Sequence, residues 1–377
     1  MVTCGPVGHP AMSGWDAPYR ESSYLVNGNE ITFTLISTDK KGNKETEKFA
    51  CASGKSSEFV KKCISRFSCR VDAGIDFGKF SHPVMEFDSY QKDYGFLLIC
   101  TAFSFFLEKF DMSNYFQHKT IWITGASSGI GEALAVNLSR KDCKLILSAR
   151  RVAELERVKA RCLNPENVYL IPLDVSDFSA AEPAVKEALS VNGKVDILIN
   201  NAGVSQRSLV KETLFEVDKR IMEINFLGTV ALSKALLPHF MANGGGHYVI
   251  VSSVTGKYGT PYRSAYAASK HALHGYFDSL RAELEDSGIR VTIVTPGFIK
   301  TPITLAALTG DGSPLNMEDK GNAGGLDPDY FAGKMLRAVA AGKREVAIGG
   351  FKEKFGLFMK RFFPNLFAGL IKKVNVR

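Results

Sequence analysis

The chain has 377 residues, 45% of them apolar and 23% charged, with a formal net charge of +8 at pH 7. That balance excludes a chain disordered throughout, a collagen-like fibre and a pure coiled coil, and the mean hydropathy of −0.03 excludes a multi-span membrane protein. The charge is uneven: residues 1–118 carry 13 basic against 14 acidic side chains, whereas residues 343–377 carry nine against two. A nucleic-acid reader spreads its basic footprint over a reading face. Concentration at one end, with no finger, homeodomain or RNA-binding signature, argues against nucleic acid and for an anionic surface, a membrane or solubility alone.

In chain order, residues 1–30 read as loose, and residues 1–19 hold no apolar core of the kind a signal peptide needs. Residues 31–37 (ITFTLIS) predict a strand, residues 39–43 a charged turn, and residues 57–67 a short helix. The apolar run 96–107 (FLLICTAFSFFL) would span about 18 Å as a helix, short of a ~30 Å hydrocarbon core. It reads either as a buried or amphipathic connector or as a short anchor dipping into a membrane. Five of the seven cysteines (Cys4, Cys51, Cys63, Cys69 and Cys100) precede residue 101, and Cys143 and Cys162 follow. Their odd number and the lack of CxxC spacing favour free thiols and no metal site.

From Lys119 the rhythm changes. Strands are predicted at 120–124, 144–148, 168–173, 195–199, 247–252, 290–295 and 345–349. Helices are predicted at 128–140, 151–163, 180–190, near 215–240 and at 264–286. Strands alternating with helices of ten or more residues specify a Rossmann-type three-layer α/β/α fold with a mostly parallel, doubly wound sheet. The expected organisation is an extension or small α+β unit over 1–118, the α/β domain over 119–350, and a basic, aromatic-rich tail over 351–377.

Four motifs carry chemistry. Thr124 to Gly131 (TGASSGIG) follows a strand and opens a helix. Gly125, Ser127, Ser128, Gly129, Ile130 and Gly131 would form a turn whose backbone N–H groups receive a pyrophosphate. The next strand ends in Ala149, Arg150 and Arg151, where NAD sites commonly place an acid; arginine there suits a 2′-phosphate, hence NADP(H) over NAD(H). Asp174 and Val175, at the end of the third strand, would meet the adenine, with a plain turn cap as the lesser alternative for Asp174. Asn200 to Gly203 (NNAG) supplies Asn201, Ala202 and Gly203, small enough for a nucleotide to lie close to the backbone.

The fourth motif concerns proton transfer. Tyr266 and Lys270 are four apart on a predicted helix and share a face. An ammonium beside a tyrosine favours the phenolate, and the same lysine would bind the nicotinamide ribose. Ser253 follows the strand at 247–252 and would bond to a substrate oxygen, while Asn225, in the long preceding helix, would hold a water linking Lys270 to solvent. Together these four residues form an acid/base set that moves a proton while a cofactor moves a hydride.

With those residues in place, the sequence resembles the short-chain dehydrogenase/reductase family over about residues 117–350. It carries that family's TGxxxGxG as Thr124 through Gly131, its NNAG as Asn200 through Gly203, and its Asn225, Ser253, Tyr266 and Lys270, the last two as YAASK. The resemblance implies that Pro296 and Gly297 border the nicotinamide and that Thr301 meets its carboxamide or the phosphates. Leu147 to Arg151 (LSARR) and Ser205 to Leu209 (SQRSL) look like the dehydrogenase/reductase member 7 group. That group is similar to the 11β-hydroxysteroid dehydrogenase type, whose members are commonly membrane-associated and reduce steroid, retinoid or xenobiotic carbonyls. The resemblance therefore implies a lipophilic ketone or aldehyde, or its alcohol, as substrate, and allows a homo-oligomer. It also implies either a membrane-associated location (endoplasmic reticulum in a eukaryote) or a cytoplasmic one.

Residues 303–330, with five glycines, read as a mobile flap whose Thr304, Leu305, Ala306 and Leu308 form an apolar wall. Phe358, Phe362, Leu366 and Leu370 recur every four residues, interrupted by Pro364. This predicts two short amphipathic pieces, resting either on an anionic bilayer or against protein. Two rival functions stay open. A 3-oxoacyl thioester reductase would need basic residues near the pocket mouth, and a non-catalytic NADP-binding scaffold would not need the intact four-residue set.

Overall fold

The computed structural model describes residues 114–317 and 323–372 in full, and the backbone of four strands before them. The chain divides into two units, Met1–Leu107 and Glu108–Arg377. In the first, β1 (Val2–Thr3), β2 (Tyr19–Asn27), β3 (Glu30–Thr38) and β4 (Lys44–Ala52) form an antiparallel sheet in sequence order. The predicted strand at 31–37 is thus the middle of a meander, pairing Tyr24 with Phe33 and Phe33 with Phe49. The expectation that residues 1–30 are loose fails at β2. The predicted turn at 39–43, the helix at 57–67 and the apolar run at 96–107 lie outside the described residues.

The second unit is the expected α/β domain. Its strands are β5 (Thr120–Thr124), β6 (Lys144–Ser148), β7 (Val168–Leu170), β8 (Ile197–Asn200), β9 (Gly246–Val251), β10 (Ile289–Pro296) and β11 (Glu345–Ile348). They form one sheet of order β11-β10-β9-β8-β5-β6-β7, parallel throughout. Side chains alternate across it. Ile121 and Ile123 face α1 (Gly129–Leu138), α2 (Val152–Arg161) and α7 (Pro328–Ala340). Trp122 and Ile146 face α3 (Ala181–Asn192), α5 (Gly228–Ala242) and α6 (Ser264–Glu283). Because both faces are covered, the strands read as near-continuous apolar runs. Two large buried side chains of those runs satisfy their polar atoms: Trp122 Nε1 donates to Ser148 Oγ at 2.8 Å, and the Tyr248 hydroxyl to the Ser233 carbonyl at 2.7 Å.

The long predicted helix is continuous but not uniform. α4 (Phe215–Met222) passes into α5 through a π-helical turn, Glu223–Leu227. The run Phe215–Ala242 is, among the described residues, the one helix long and apolar enough to cross a bilayer; here it packs on the sheet and buries Asn225. Gly228 lets it pass Val175, whose carbonyl oxygen would lie 2.2 Å from any added Cβ.

Two expectations need correction between β10 and β11. The sequence reading has no helix there, yet α7 begins at Pro328 with Asp327 accepting from the backbone N–H groups of Asp329 and Tyr330. Residues 303–317 are not a loose flap either: Leu308 exchanges backbone bonds with Ser205 and Arg207, and Gly310 accepts from Leu214. After β11 come the two predicted amphipathic pieces, α8 (Phe351–Phe362) and α9 (Pro364–Ile371), broken at Pro364 as expected.

At the amino end of the sheet, His247 is 2% exposed, and burial, with Arg290 and Lys119 nearby, pushes its pKa down to about 3. Thr292 Oγ1 donates to the Lys343 carbonyl, so it accepts from Nε2 of the neutral ring, while Nδ1 accepts from the Tyr115 hydroxyl. This histidine ties residue 115 to the sheet and lies at the end opposite the motifs described next.

Candidate active site

The sheet order reverses between β5 and β8, both neighbours at the centre, so the crevice for a nucleotide opens at their carboxyl ends. Two motifs meet there. Asn201 Nδ2 donates to the carbonyls of Thr124 (3.0 Å) and Gly125 (3.1 Å), and Thr124 Oγ1 accepts from the backbone N–H groups of Asn201 and Ala202. NNAG is thus first a clamp on the glycine loop. Gly125 and Gly129 adopt φ of +62° and +60°. Ser128 caps α1 without a side-chain hydrogen bond, which leaves the first N–H groups of α1 for an anion. These features fit a dinucleotide.

Gly131 is the tightest point of that loop. An added Cβ would lie 2.2 Å from the Gly125 carbonyl oxygen and 2.8 Å from Asn201 Nδ2. Gly131→Ala is therefore expected to weaken cofactor binding at least tenfold and to cost about 1–3 kcal/mol of stability. Gly275 sits in α6 with nothing near its Cβ direction, so Gly275→Ala should instead stabilise by about 0.5–1 kcal/mol. Thermal unfolding and cofactor titration of the two variants check the contrast.

Arg150 and Arg151 are exposed beyond β6. Arg151 reaches Ser127 Oγ at 3.3 Å, and Arg150 lies 4.0 Å from Asp174. Burial opposes ionisation of Asp174. The Ser176 hydroxyl and backbone N–H, together with the charges of Arg150 and Arg220, outweigh it and hold the carboxyl below the usual carboxylate range. Its Oδ1 is occupied by Ser176, so the turn-cap reading of Asp174 is realised and Oδ2 is the atom left facing the arginines.

Three of the four proton-transfer residues, Ser253, Tyr266 and Lys270, converge on one pocket. Its lining includes the expected Ile130, Asn201, Gly203, Ser253, Tyr266, Lys270, Pro296, Gly297 and Thr301. Ser253 Oγ accepts from Thr255 N–H (3.2 Å) and Thr255 Oγ1 (2.9 Å), which leaves its own hydrogen to donate into the pocket. Lys270 is 4% exposed and donates to the Val251 carbonyl at 2.9 Å; burial pushes its pKa down to about 8. Its Nζ lies 5.9 Å from the centre of the Tyr266 ring.

Asn225 carries a structural part the sequence did not show. Its Nδ2 donates to the Val204 carbonyl and to Ser269 Oγ, both at 3.0 Å, and its Oδ1 accepts from Val204 N–H at 2.8 Å. Ser269 in turn donates to the Tyr266 carbonyl. The π-helical turn thus aims Asn225 as a bracket between the loop after β8 and the helix of Tyr266, with one Oδ1 lone pair left to accept a further hydrogen bond.

Sequence reasoning missed several residues. Gln206, fully buried, accepts from the N–H groups of Ala265 and Tyr266 and so caps the start of α6. The apolar wall is Val254, Phe298, Ile299 and Ile303 rather than the expected Thr304 to Leu308. Two arginines also line the pocket, Arg207 (4% exposed) and Arg263 (6% exposed), the latter 5.4 Å from the Phe298 ring. A pattern search finds none of these, because each depends on where a loop returns.

A family model described as short chain dehydrogenase matches residues 119–310. The chain belongs to the short-chain dehydrogenase family. A relative in Drosophila melanogaster, a dehydrogenase/reductase SDR family protein 7-like, is 40% identical over 70% of this chain and 82% of its own. Among solved structures, an alcohol dehydrogenase from the archaeon Thermococcus sibiricus in complex with 5-hydroxy-NADP is 28% identical, with a TM-score of 0.53, over 62% of this chain and 97% of its own. A 3-ketoacyl-(acyl-carrier-protein) reductase from Brucella melitensis in complex with NADH is 26% identical, with a TM-score of 0.54, over 63% and 99%. Membership makes the protein an oxidoreductase of the member-7-like subgroup, using a nicotinamide dinucleotide to interconvert a carbonyl and an alcohol. Since neighbours of this fold are found with either nucleotide, the choice between them falls to this chain's own residues.

Proposed function

We propose that the protein is an NADP(H)-dependent reductase of lipophilic ketones or aldehydes, also able to run the reverse alcohol oxidation. The observation that carries this reading is the single pocket in which Ser253, Tyr266 and Lys270 meet an apolar wall of Val254, Ile299 and Ile303. The bound nicotinamide supplies a hydride to the carbonyl carbon. Ser253 and Tyr266 hold the carbonyl oxygen, and the Tyr266 hydroxyl gives it the proton. Lys270 keeps positive charge beside the tyrosine and binds the ribose hydroxyls, and Asn225, through Ser269, keeps α6 in register with the loop after β8. The test is NADPH consumption with a panel of steroid, retinoid and small aromatic carbonyls; failure to turn over any of them, with the cofactor bound, would reject the substrate class.

The assignment of NADP(H) rests on Arg150 and Arg151 at the end of β6. A bidentate arginine–phosphate pair is worth about 1.5–3 kcal/mol. Arg150→Ala should therefore lower kcat/KM for NADPH by roughly 10–100-fold and leave that for NADH nearly unchanged. Equal use of both cofactors, unaffected by the substitution, would contradict the assignment.

Arg207 and Arg263 favour a second reading. Basic residues beside the pocket are what a 3-oxoacyl thioester, or another carbonyl compound with an oxygen-rich second group, would require. Such substrates belong in the same panel, and preference for them over plain aromatic ketones decides between the two readings.

A further inference from the structure

Arg157, in the second turn of α2, takes no part in the chemistry derived above, yet its guanidinium joins three segments of the chain. Nη1 donates to Glu132 Oε1 at 2.7 Å and Nη2 to Glu132 Oε2 at 2.9 Å, a fork closed on one carboxylate of α1. Nη2 also donates to the Ser127 carbonyl of the glycine loop at 3.1 Å, and Nε to Glu154 on α2 itself at 2.8 Å. The whole fork is thus committed to protein. Glu132 lies in the first turn of α1, where a bare carboxylate would repel the phosphates that the same helix start attracts. Arg161 bonds to it as well. The Arg157 bond, ahead of any other cause, holds the Glu132 carboxyl below the usual carboxylate range, although burial opposes this.

Ser127 is where these contacts meet the arginines at the end of β6. It is buried; its carbonyl is held by Arg157, and its Oγ accepts from Arg151 Nη2 at 3.3 Å. Arg151 is also the residue that caps the start of α2. Arg157 follows it by six residues, about 9 Å of helix rise, so any shift or turn of α2 against the loop carries Arg151 with it. The strand end of the glycine loop is held separately, by Asn201 on the carbonyls of Thr124 and Gly125.

We propose that Arg157 is a positioning residue for cofactor choice. By tying α2 to Ser127 and Glu132 it sets the spacing between the pyrophosphate turn and the Arg150–Arg151 pair, and with it the grip on a 2′-phosphate. Loss of the tie leaves the pyrophosphate turn clamped by Asn201 and frees the two arginines from the one group that distinguishes NADPH from NADH. The inference rests on the NADP(H) reading proposed above.

The experiment is equilibrium titration of the full chain with NADPH and with NADH, followed by nicotinamide fluorescence. It is run on the wild type, Arg157→Met, Arg157→Lys, Arg161→Ala and Arg150→Ala. Arg161 stays beside Glu132 in both Arg157 variants, so the carboxylate keeps a counter-charge. Arg157→Met should weaken NADPH binding at least about tenfold and NADH binding less than about threefold. Arg157→Lys keeps the charge without the fork and should resemble Arg157→Met; it also decides the matter should Arg157→Met not fold. Arg161→Ala, which removes a contact to Glu132 and none to Ser127, should stay near the wild type. A general loosening of the site would lower both affinities together. Unchanged NADPH affinity in the Arg157 variants, equal loss of both nucleotides, or full recovery by lysine would each overturn the proposal. Arg150→Ala separates the two levels of the argument. If it leaves the ratio of NADPH to NADH affinity unchanged, the NADP(H) reading fails and the role of Arg157 with it. If it lowers that ratio and the Arg157 variants do not, only the role of Arg157 falls.

Discussion

Tyr266→Phe should leave the protein folded and able to bind NADPH, and slow carbonyl reduction by a factor on the order of 10³. The tyrosine sits two residues into α6, where Gln206 accepts from its N–H and from that of Ala265, and Ser269 binds its carbonyl. Those contacts are to the backbone and survive the substitution. The ring also keeps its place near the Lys270 ammonium. What is lost is one hydroxyl, the group that donates to the carbonyl oxygen as the hydride arrives. KM for a carbonyl substrate should change far less than kcat, because that bond matters most as charge develops on the oxygen. The check is steady-state kinetics with cofactor affinity measured separately. A variant retaining more than about a tenth of the wild-type kcat would require a different proton donor.

Lys270→Met is expected to act in two directions. Activity should fall by about 10²-fold or more, since the charge beside Tyr266 and the ribose anchor go together. Stability of the cofactor-free protein should rise. Lys270 is buried and its pKa is pushed down to about 8, against roughly 10.4 for an exposed lysine. A lysine with a lowered folded-state pKa opposes folding while it is charged. That cost, about 3 kcal/mol, is fully present below pH about 8 and is relieved as pH rises toward the unfolded value. Methionine fills a similar volume but removes the donor to the Val251 carbonyl, an offset of about 1 kcal/mol. At pH 7 the variant should therefore gain about 1–3 kcal/mol, and the gain should shrink toward pH 10. Denaturant unfolding from pH 6 to 10 tests the sign. In the wild type the same titration should make kcat/KM for reduction decline above pH about 8, as the ammonium is neutralised. A variant less stable than the wild type at pH 7 would mean that burial of the charge is not what depresses this lysine.

Much of the second unit was legible because its strands are short apolar runs bounded by turns. β5 and β6 have the predicted bounds, and Ser253, Tyr266 and Lys270 stand where a strand end and a helical spacing of four put them. The π-helical turn at Asn225 was not legible, since a single added residue leaves the apolar pattern of the helix almost unchanged. It also lets the Asn225 side chain bracket two chain segments. α7 did carry a signal, Asp327 then Pro328 before Phe331, Met335 and Val339, but the glycines before it obscured the start. β2 and β4 mix charged and polar residues along their length, so only the apolar β3 stood out. Gln206, Arg207 and Arg263 line or brace the site by tertiary contact, as does Ser269 through Asn225, and no spacing rule encodes that.

The uneven charge divides by role. Arg150 and Arg151 belong to the nucleotide end of the crevice, while the basic side chains of α8 accompany an aromatic face.

The central claim, hydride transfer to a carbonyl carbon with Tyr266 as proton donor, is tested most directly with NADPH deuterated at the transferring position and the best carbonyl of the panel. The account predicts one deuterium on the carbinol carbon of the product with the wild type and, in the same time, about a thousandth as much labelled product with Tyr266→Phe. Product without deuterium, or equal labelling by the two proteins, would contradict it.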